Sequence, residues 1–283
     1  MANVFEIDWS EEADRLRTAA DLQAEWNESV ARSLVRPADR VAVDIGTGGG
    51  GMARALATAL PDGGIVVAVD HSEDVLARAR ETLRDVRARC EIGSLDDGPE
   101  PLREVIGEPA DLVWAAHAVH HAGDQQACVD TLAALLAPGG RLALAEGGLP
   151  TRHLPWDLGI GEPGLELRLD AANDRWFARM RADLPGSIRM PYGWPDALRK
   201  AGLRDVTSRT VLTERPTPLS DEDRAHVIEK MSRWVGRIRE ADFLSEADLA
   251  TWDQLFDEDG PHWLGRRTDL TDLGASTIHL GTK

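Results

Sequence analysis

Apolar residues alternate along the first half of the chain between two rhythms. Val41–Ile45, Ile65–Val69, Asp111–Trp114 and Arg141–Glu146 carry short, largely apolar runs, and Arg89–Ile92 reads as a further short strand. A run of that length, bounded by turn residues, predicts a strand covered on both faces. Between the runs the period changes to 3.6. Met52–Leu60 is alanine-rich, Ser72–Val86 places Val75, Leu76, Ala79 and Leu83 on one face, and Asp124–Ala137 reads as a third helix. Strands alternating with helices predict a parallel sheet with helices on both faces. The first 35 residues read as helix. Ser10 suits its cap, Glu11, Glu12 and Asp14 suit its positive end, and Leu16, Ala20, Asn27, Val30 and Leu34 follow the helical period beside Trp26 until Pro37 stops it.

After Glu146 the alternation breaks. Residues 147–192 hold Pro150, Pro155, Pro163, Pro185 and Pro191 among short helical pieces. Pro195–Ala201 reads as a helix stopped by Gly202, and Val206–Thr213 as a strand. Residues 214–272 read as helical, with Val227, Met231, Trp234, Val235 and Ile238 on one face, and Ser276–Thr282 reads as a last strand. The expected class is α/β: a doubly wound, mostly parallel, seven-stranded sheet with helical lid insertions. The expected layout is an N-terminal helical lid (1–37), a nucleoside-binding core (38–148), a first insertion over the substrate (149–192), a core helix and strand (193–213), a second helical insertion (214–272) and a last core strand (273–283).

The chain has 283 residues, 42% apolar and 29% charged, which is globular composition and enough chain to bury a core without staples. Lys+Arg is 32 against Asp+Glu of 49, a formal charge of −17, and this argues against nucleic acid and anionic membrane surfaces as partners. Two separated cysteines, Cys90 and Cys128, exclude a disulfide scaffold and a thiolate zinc site. No apolar stretch is long enough to span a bilayer, and Met1–Ser10 carries Glu6 and Asp8 in place of a basic leader. A cytoplasmic protein, monomer or homodimer, is the expectation.

The sharpest local signal is Asp44-Ile45-Gly46-Thr47-Gly48-Gly49-Gly50-Gly51, set between a strand and a helix. Glycines there let the backbone turn and approach a ligand without a Cβ in the way. Gly46, Gly48 and Gly51 satisfy G-x-G-x-x-G, the dinucleotide pattern, and Asp44, Gly46, Gly48 and Gly50 satisfy D-x-G-x-G-x-G. Asp44 favours the second pattern, because a carboxylate beside the loop repels a pyrophosphate and attracts an ammonium or sulfonium. Asp70 ends the second strand, where a carboxylate accepts both hydroxyls of a ribose, as NAD and S-adenosylmethionine (SAM) alike require.

D-x-G-x-G-x-G resembles motif I of class I SAM-dependent methyltransferases. Glu91–Asp97 resembles the segment that covers the adenine, with Ser94 where many members place Asp. Asp111–His121 resembles motif IV with its His-His ending, and Leu135–Leu142 resembles the L-x-P-G-G-x-L turn before strand five. The matches cover about residues 38–150, more weakly Trp194–Thr213 and Ser276–Thr282, and are similar to the small-molecule and ubiquinone-biosynthesis branch. The resemblance implies SAM as cofactor, with S-adenosylhomocysteine (SAH) as product. It implies cofactor contacts from Asp44, Gly46, Thr47, Gly48, Gly50, Asp70, His71, Ser94, Leu95 and His117. In that branch the last two strands form a hairpin; about 60 residues separate them here.

Methyl transfer from a sulfonium needs alignment, exclusion of water, and a base only where the nucleophile must lose a proton. His120 and His121, beyond the fourth strand, are the candidate bases. His117-x-x-His120-His121 also has the spacing of a metal cluster, but Asp124 is the one carboxylate nearby in sequence, so no metal is expected. Nine tryptophans stand against one tyrosine. Most suit core packing, and Trp156 and Trp234 are the candidates for a substrate pocket. Asp221–Asp223 and Asp257–Asp259 read as solvated helix ends, or as contacts for a cationic or peptide substrate, and His153, His226 and His262 sit in the insertions.

The leading expectation is a SAM-dependent methyltransferase acting, at oxygen, on a small or medium-sized, largely apolar acceptor in specialised metabolism. The alternatives are a SAM-fold protein catalysing a cyclisation or rearrangement without methyl transfer, an NAD-dependent dehydrogenase, and a non-catalytic interaction protein.

Overall fold

Each apolar run becomes a strand and each 3.6-period stretch a helix. The computed structural model describes residues 9–283. Met1–Asp8, read above as lacking a leader, lie outside the described residues, as do the side chains of Ser10 and Glu11. The N-terminal helical segment is two helices, α1 (Trp9–Leu22) and α2 (Ala24–Leu34). Then follow β1 (Val41–Ile45), α3 (Gly51–Ala59), β2 (Ile65–Asp70), α4 (Glu73–Leu83) and β3 (Ala88–Ile92). Ser72 caps α4 by accepting from the Val75 amide, as its position before an acidic first turn predicts. Helix α5 (Pro99–Ile106), to which the sequence reading gave no element, starts with proline at its first turn and buries Leu102 and Ile106. β4 (Ala110–Ala116) and α6 (Gln125–Ala134) complete the alternating half, Asp124 capping α6 through the Ala127 amide.

β5 (Leu136–Arg152) is longer than the expected Arg141–Glu146. The Pro138-Gly139-Gly140 turn lies inside it as a bulge: Ala110 pairs with Leu136, but Leu112 pairs with Arg141. Helix α7 (Leu165–Asp183) is a single helix of 19 residues between Pro163 and Pro185, where the prolines suggested short pieces. α8 (Trp194–Lys200), β6 (Arg204–Glu214), α9 (Asp221–Glu240), α10 (Glu246–Phe256) and β7 (Leu273–Thr282) follow.

The seven strands lie in the order β3-β2-β1-β4-β5-β7-β6, with β3, β2, β1, β4 and β5 pairing parallel. Gly139 and Gly140 bond to Lys283 while the Glu146 carbonyl meets His279, so β7 runs antiparallel to β5. Order reverses at β1, which places the crevice of a doubly wound sheet beyond the carboxyl ends of β1 and β4.

Two units emerge from the described chain. One comprises residues 9–147, 185–210 and 277–283, and the other 148–184 and 211–276. The sequence reading drew its insertions at 149–192 and 214–272. In the first unit Val43, Val67, Val113, Leu142 and Leu144 of the strands pack with Leu102, Leu132 and Leu198 of the helices. Each such buried side chain contributes about 1.5–3 kcal/mol of apolar transfer. A buried Arg141 adds a polar tie, bonding the Asp39 carboxylate and the Leu34 carbonyl at the end of α2. In the second unit Leu165, Leu169, Trp176 and Met180 of α7 pack with Val227, Met231 and Ile238 of α9 and Trp252 of α10.

Candidate cofactor and catalytic site

The glycine loop leaves the carboxyl end of β1 and opens α3. Gly46, Gly48 and Gly50 have φ of 69°, 54° and 80°, in the left-handed region that favours glycine. A Cβ on Gly46 would stand 2.8 Å from the Ala118 Cβ, so the turn after β4 lies directly against the loop. A Cβ on Gly49 would collide with the Leu16 carbonyl and Arg17 Cα. That glycine therefore serves the close approach of α1, a constraint the local sequence does not announce.

Two carboxylates frame the loop, both buried. Asp44 is 2% exposed and accepts from the Thr47 hydroxyl at 2.8 Å. Burial pushes its carboxyl up to about 7, opposed by its bonds from Thr47 and the Ala53 amide, while the charge on Asp70 adds to the rise. Asp70, at the end of β2, accepts from the Gly48 amide (3.1 Å) and the Ser72 amide (3.2 Å). The neighbouring His71 Nδ1 lies 3.3 Å from it, and that hydrogen bond holds the imidazole above its usual range. Thr47 spends its hydroxyl on Asp44 and its amide on the Val69 carbonyl. Ser94 caps the short 3₁₀ turn Leu95–Asp97 through the Asp96 amide, and Leu95 packs on the sheet core.

Beyond β4, His117 adopts φ 50° and donates its amide to the Ala145 carbonyl. Burial lowers its ring below the ordinary histidine range, with Glu146 opposing. His120 Nδ1 lies 2.8 Å from Glu146 Oε2, and the His120 and His121 ring centroids are 4.0 Å apart. His121 and His71 both meet the ring of Trp9 edge-on, at 5.7 and 5.4 Å. The structure thus gathers Asp44, the glycines, Asp70, His71, His117, His120 and His121 at the carboxyl end of the sheet. It adds Glu146 and Trp9, which the sequence reading did not single out. The signal for Glu146 was an acid ending an otherwise apolar strand. The carboxylate that the His-x-x-His-His run lacked in sequence is also Glu146. Ligand atoms of His117, His120 and Glu146 lie within 4.8 Å of one another.

The insertions distribute their candidates differently. Trp156 is 68% exposed. Trp234 packs against the helical core, with Lys230 Nζ 5.2 Å from its ring centroid and His153 edge-on at 6.4 Å. His153 is wholly buried, its Nδ1 2.8 Å from Glu166 Oε1 and its Nε2 3.3 Å from Asp272 Oδ1. No helix among the described residues is long and apolar enough to cross a membrane.

A doubly wound sheet of this order, with an acid-flanked glycine loop at its switch point, defines the class I SAM-dependent methyltransferase fold. Residues 43–142 match the family described as "Methyltransferase domain". Residues 43–142 thus carry a methyltransferase domain, in the fold just described. The chain is 34% identical over 145 residues to a trans-aconitate 2-methyltransferase of Variovorax paradoxus, an alignment covering 49% of each chain. The match thus spans about half the length of that relative. Among solved structures it is similar to a chain of the complex between the Haloferax volcanii Trm112 methyltransferase activator and a methyltransferase, with a TM-score of 0.54 at 17% identity over 98% of both chains. It is also similar to Haemonchus contortus phosphoethanolamine N-methyltransferase 2 in complex with SAM, with a TM-score of 0.50 at 15% identity over 98% of this chain and 60% of that one.

Proposed function

We propose that the protein transfers the methyl group of SAM to oxygen on a small or medium-sized, largely apolar acceptor. The observation that carries the reading is the pair of buried acids about the glycine loop, Asp44 at 2% and Asp70 at 6% exposure, with the Gly48 amide bonded to Asp70. Two buried carboxylates at adjacent strand ends suit a ligand with a cation at one end and a diol at the other. When bound, SAM supplies an electrophilic methyl group on a sulfonium. Asp44 would face its ammonium, and the backbone of Gly46, Thr47, Gly48 and Gly50 would bound its methionine part. Asp70 would accept from its ribose hydroxyls beside His71, with Ser94 and Leu95 along the adenine and His117 near the reacting end.

His120, with His121 beside it, would take the proton of a hydroxyl or phenol. A second reading, favoured by the trans-aconitate methyltransferase relative, is that the acceptor oxygen belongs to a carboxylate. A carboxylate is already anionic, so His120 would then orient it and no proton would be removed.

Calorimetric titration with SAH, with NAD as control, tests the cofactor half on wild type and Asp70→Ala. Micromolar SAH binding, lost in the variant and absent for NAD, is expected; full SAH affinity in Asp70→Ala would sink the reading. Methyl transfer from labelled SAM to phenols against transfer to trans-aconitate then separates the two acceptor classes.

A further inference from the structure

We propose that Lys230, with His226 one turn before it on α9, forms an anion site in the second unit, and that its ligand is a carboxylate. His226, Lys230 and Trp234 follow one another at intervals of four, a spacing that aligns them along one side of the helix. All three are half-buried, while Val227, Met231, Val235 and Ile238 occupy the buried side. The Lys230 ammonium stands over the Trp234 ring, 5.2 Å from its centroid. The His153 ring meets the same indole edge-on at 6.4 Å.

Among the described residues, no hydrogen bond or ion pair engages the Lys230 ammonium or the His226 ring. The acids around Lys230 are spent elsewhere. Glu166 accepts the His153 and Leu154 amides and faces His153 Nδ1 at 2.8 Å. Asp272 lies 3.3 Å from His153 Nε2 and 3.5 Å from Arg215 Nε, and Arg215 also meets Asp223 at 2.9 Å. Burial pulls the Lys230 ammonium below the ordinary lysine range, and the more distant charges of Asp272 and Glu166 oppose that without reversing it. Burial and then the charge of Lys230 lower His226 too, with Asp272 and Glu229 opposing and Arg215 adding to the fall. The indole face attracts the ammonium but gives its N–H groups no oxygen. A half-buried cation in that position is short of an acceptor, and an anion supplies one.

The neighbours also select the anion. Glu166 and Asp272 repel a dianion more than a monoanion, which favours a carboxylate over a phosphate. One carboxylate oxygen accepts from the Lys230 ammonium and the other from a ring N–H of His226. The site does not depend on methyl transfer. Only the identity of the bound acid with the methyl acceptor rests on that reading.

Benzoate is the probe, with benzamide as its uncharged counterpart and inorganic phosphate as the dianion. In the full chain the indole N–H resonance of Trp234, assigned through Trp234→Phe, is expected to shift on titration with benzoate, with a Kd of about 1 mM or tighter. Lys230→Met keeps the apolar stem and removes the charge, so it should weaken benzoate at least about tenfold, and His226→Phe about threefold. No shift with benzoate, benzamide binding as tightly, or phosphate binding more tightly would each overturn the proposal without recourse to a variant. Unchanged benzoate affinity in either folded variant would overturn it as well. Labelled SAM then separates two sources of the acid. Benzoate whose oxygen gains the methyl that the sulfonium loses, with SAH released, marks the bound acid as the acceptor; binding without ester marks a separate ligand of the same site. Failure of wild type to bind SAH would sink the methyl-transfer reading and leave the benzoate result standing.

Discussion

The Thr47 hydroxyl donates to the Asp44 carboxylate across 2.8 Å, and both residues lie beneath the surface at the end of β1. That bond is too little to keep Asp44 an ordinary acid, because burial pushes it to about 7 from 3.8. Between those values the folded chain holds a proton that the unfolded chain has lost. The contribution of Asp44 to stability therefore declines as pH rises from about 4 to 7 and is level above. A bound ammonium reverses the preference by selecting the carboxylate. SAH affinity should weaken about tenfold from pH 8 to pH 6 through this group alone, with proton release on binding. Calorimetry in buffers of different ionisation enthalpy measures the release, and Asp44→Asn should abolish it. Binding with no proton release would remove Asp44 from the site.

Gly46 and Gly49 should fail for different reasons. Gly46→Ala meets both a φ of 69° and the Ala118 Cβ, so it should cost about 1–3 kcal/mol and lower SAH affinity by tenfold or more. Gly49→Ala drives a methyl into the α1 backbone and should lower Tm by displacing that helix. Gly63→Ala, at φ 87° with nothing within 4 Å of the added Cβ, is the control for backbone strain alone. Equal SAH affinity in Gly46→Ala and wild type would show that the loop does not touch cofactor.

Trp9 bridges the ends of β2 and β4 through its edge contacts with His71 and His121. Each aromatic contact is worth about 0.5–1.5 kcal/mol, so Trp9→Ala should raise the SAH dissociation rate about tenfold. Stopped-flow displacement measures it. An unchanged rate would show that α1 does not gate the cofactor.

His153 binds the second unit together through two acids. Burial pulls its ring down, but hydrogen bonds to Asp272 and Glu166 outweigh that and hold it above the ordinary histidine range. A raised histidine gives stability that is present in full below about pH 6.5 and is lost as pH rises through the folded value. Hydrogen exchange in α7 and α9 should therefore quicken, beyond its intrinsic rise, as pH climbs above about 6.5. His153→Phe should lose that slope and cost about 3 kcal/mol, since it leaves the buried Glu166 without its cation, while Asp272 keeps Arg215 beside it. Identical pH slopes in the two proteins would show that His153 is neutral in the folded unit.

The alternating half was legible because its signals are local. Val41–Ile45 and Ile65–Asp70 are strands by their own composition, and Ser72 and Asp124 cap helices through amides three residues away. α5 escaped notice because Gly93, Gly98, Pro99 and Pro101 mask a helix held by only two buried residues, Leu102 and Ile106. α7 escaped because prolines at its borders look like interruptions until the packing of Leu169, Trp176 and Met180 shows one continuous face.

The sequence by itself determined the sheet class, the glycine loop and its two flanking acids, since strand period, turn chemistry and the ends of apolar runs are properties of neighbouring residues. Tertiary structure alone decided which histidine meets a carboxylate. Glu146 lies 26 positions from His120, and no periodicity links them; the parallel pairing of β4 with β5 brings their ends together. It likewise decided that Gly49 makes room for α1, and that His153 spans Glu166 and Asp272 across more than a hundred residues of chain. Such pairings depend on sheet order and helix docking, which the long-range burial of apolar faces settles and local propensity does not.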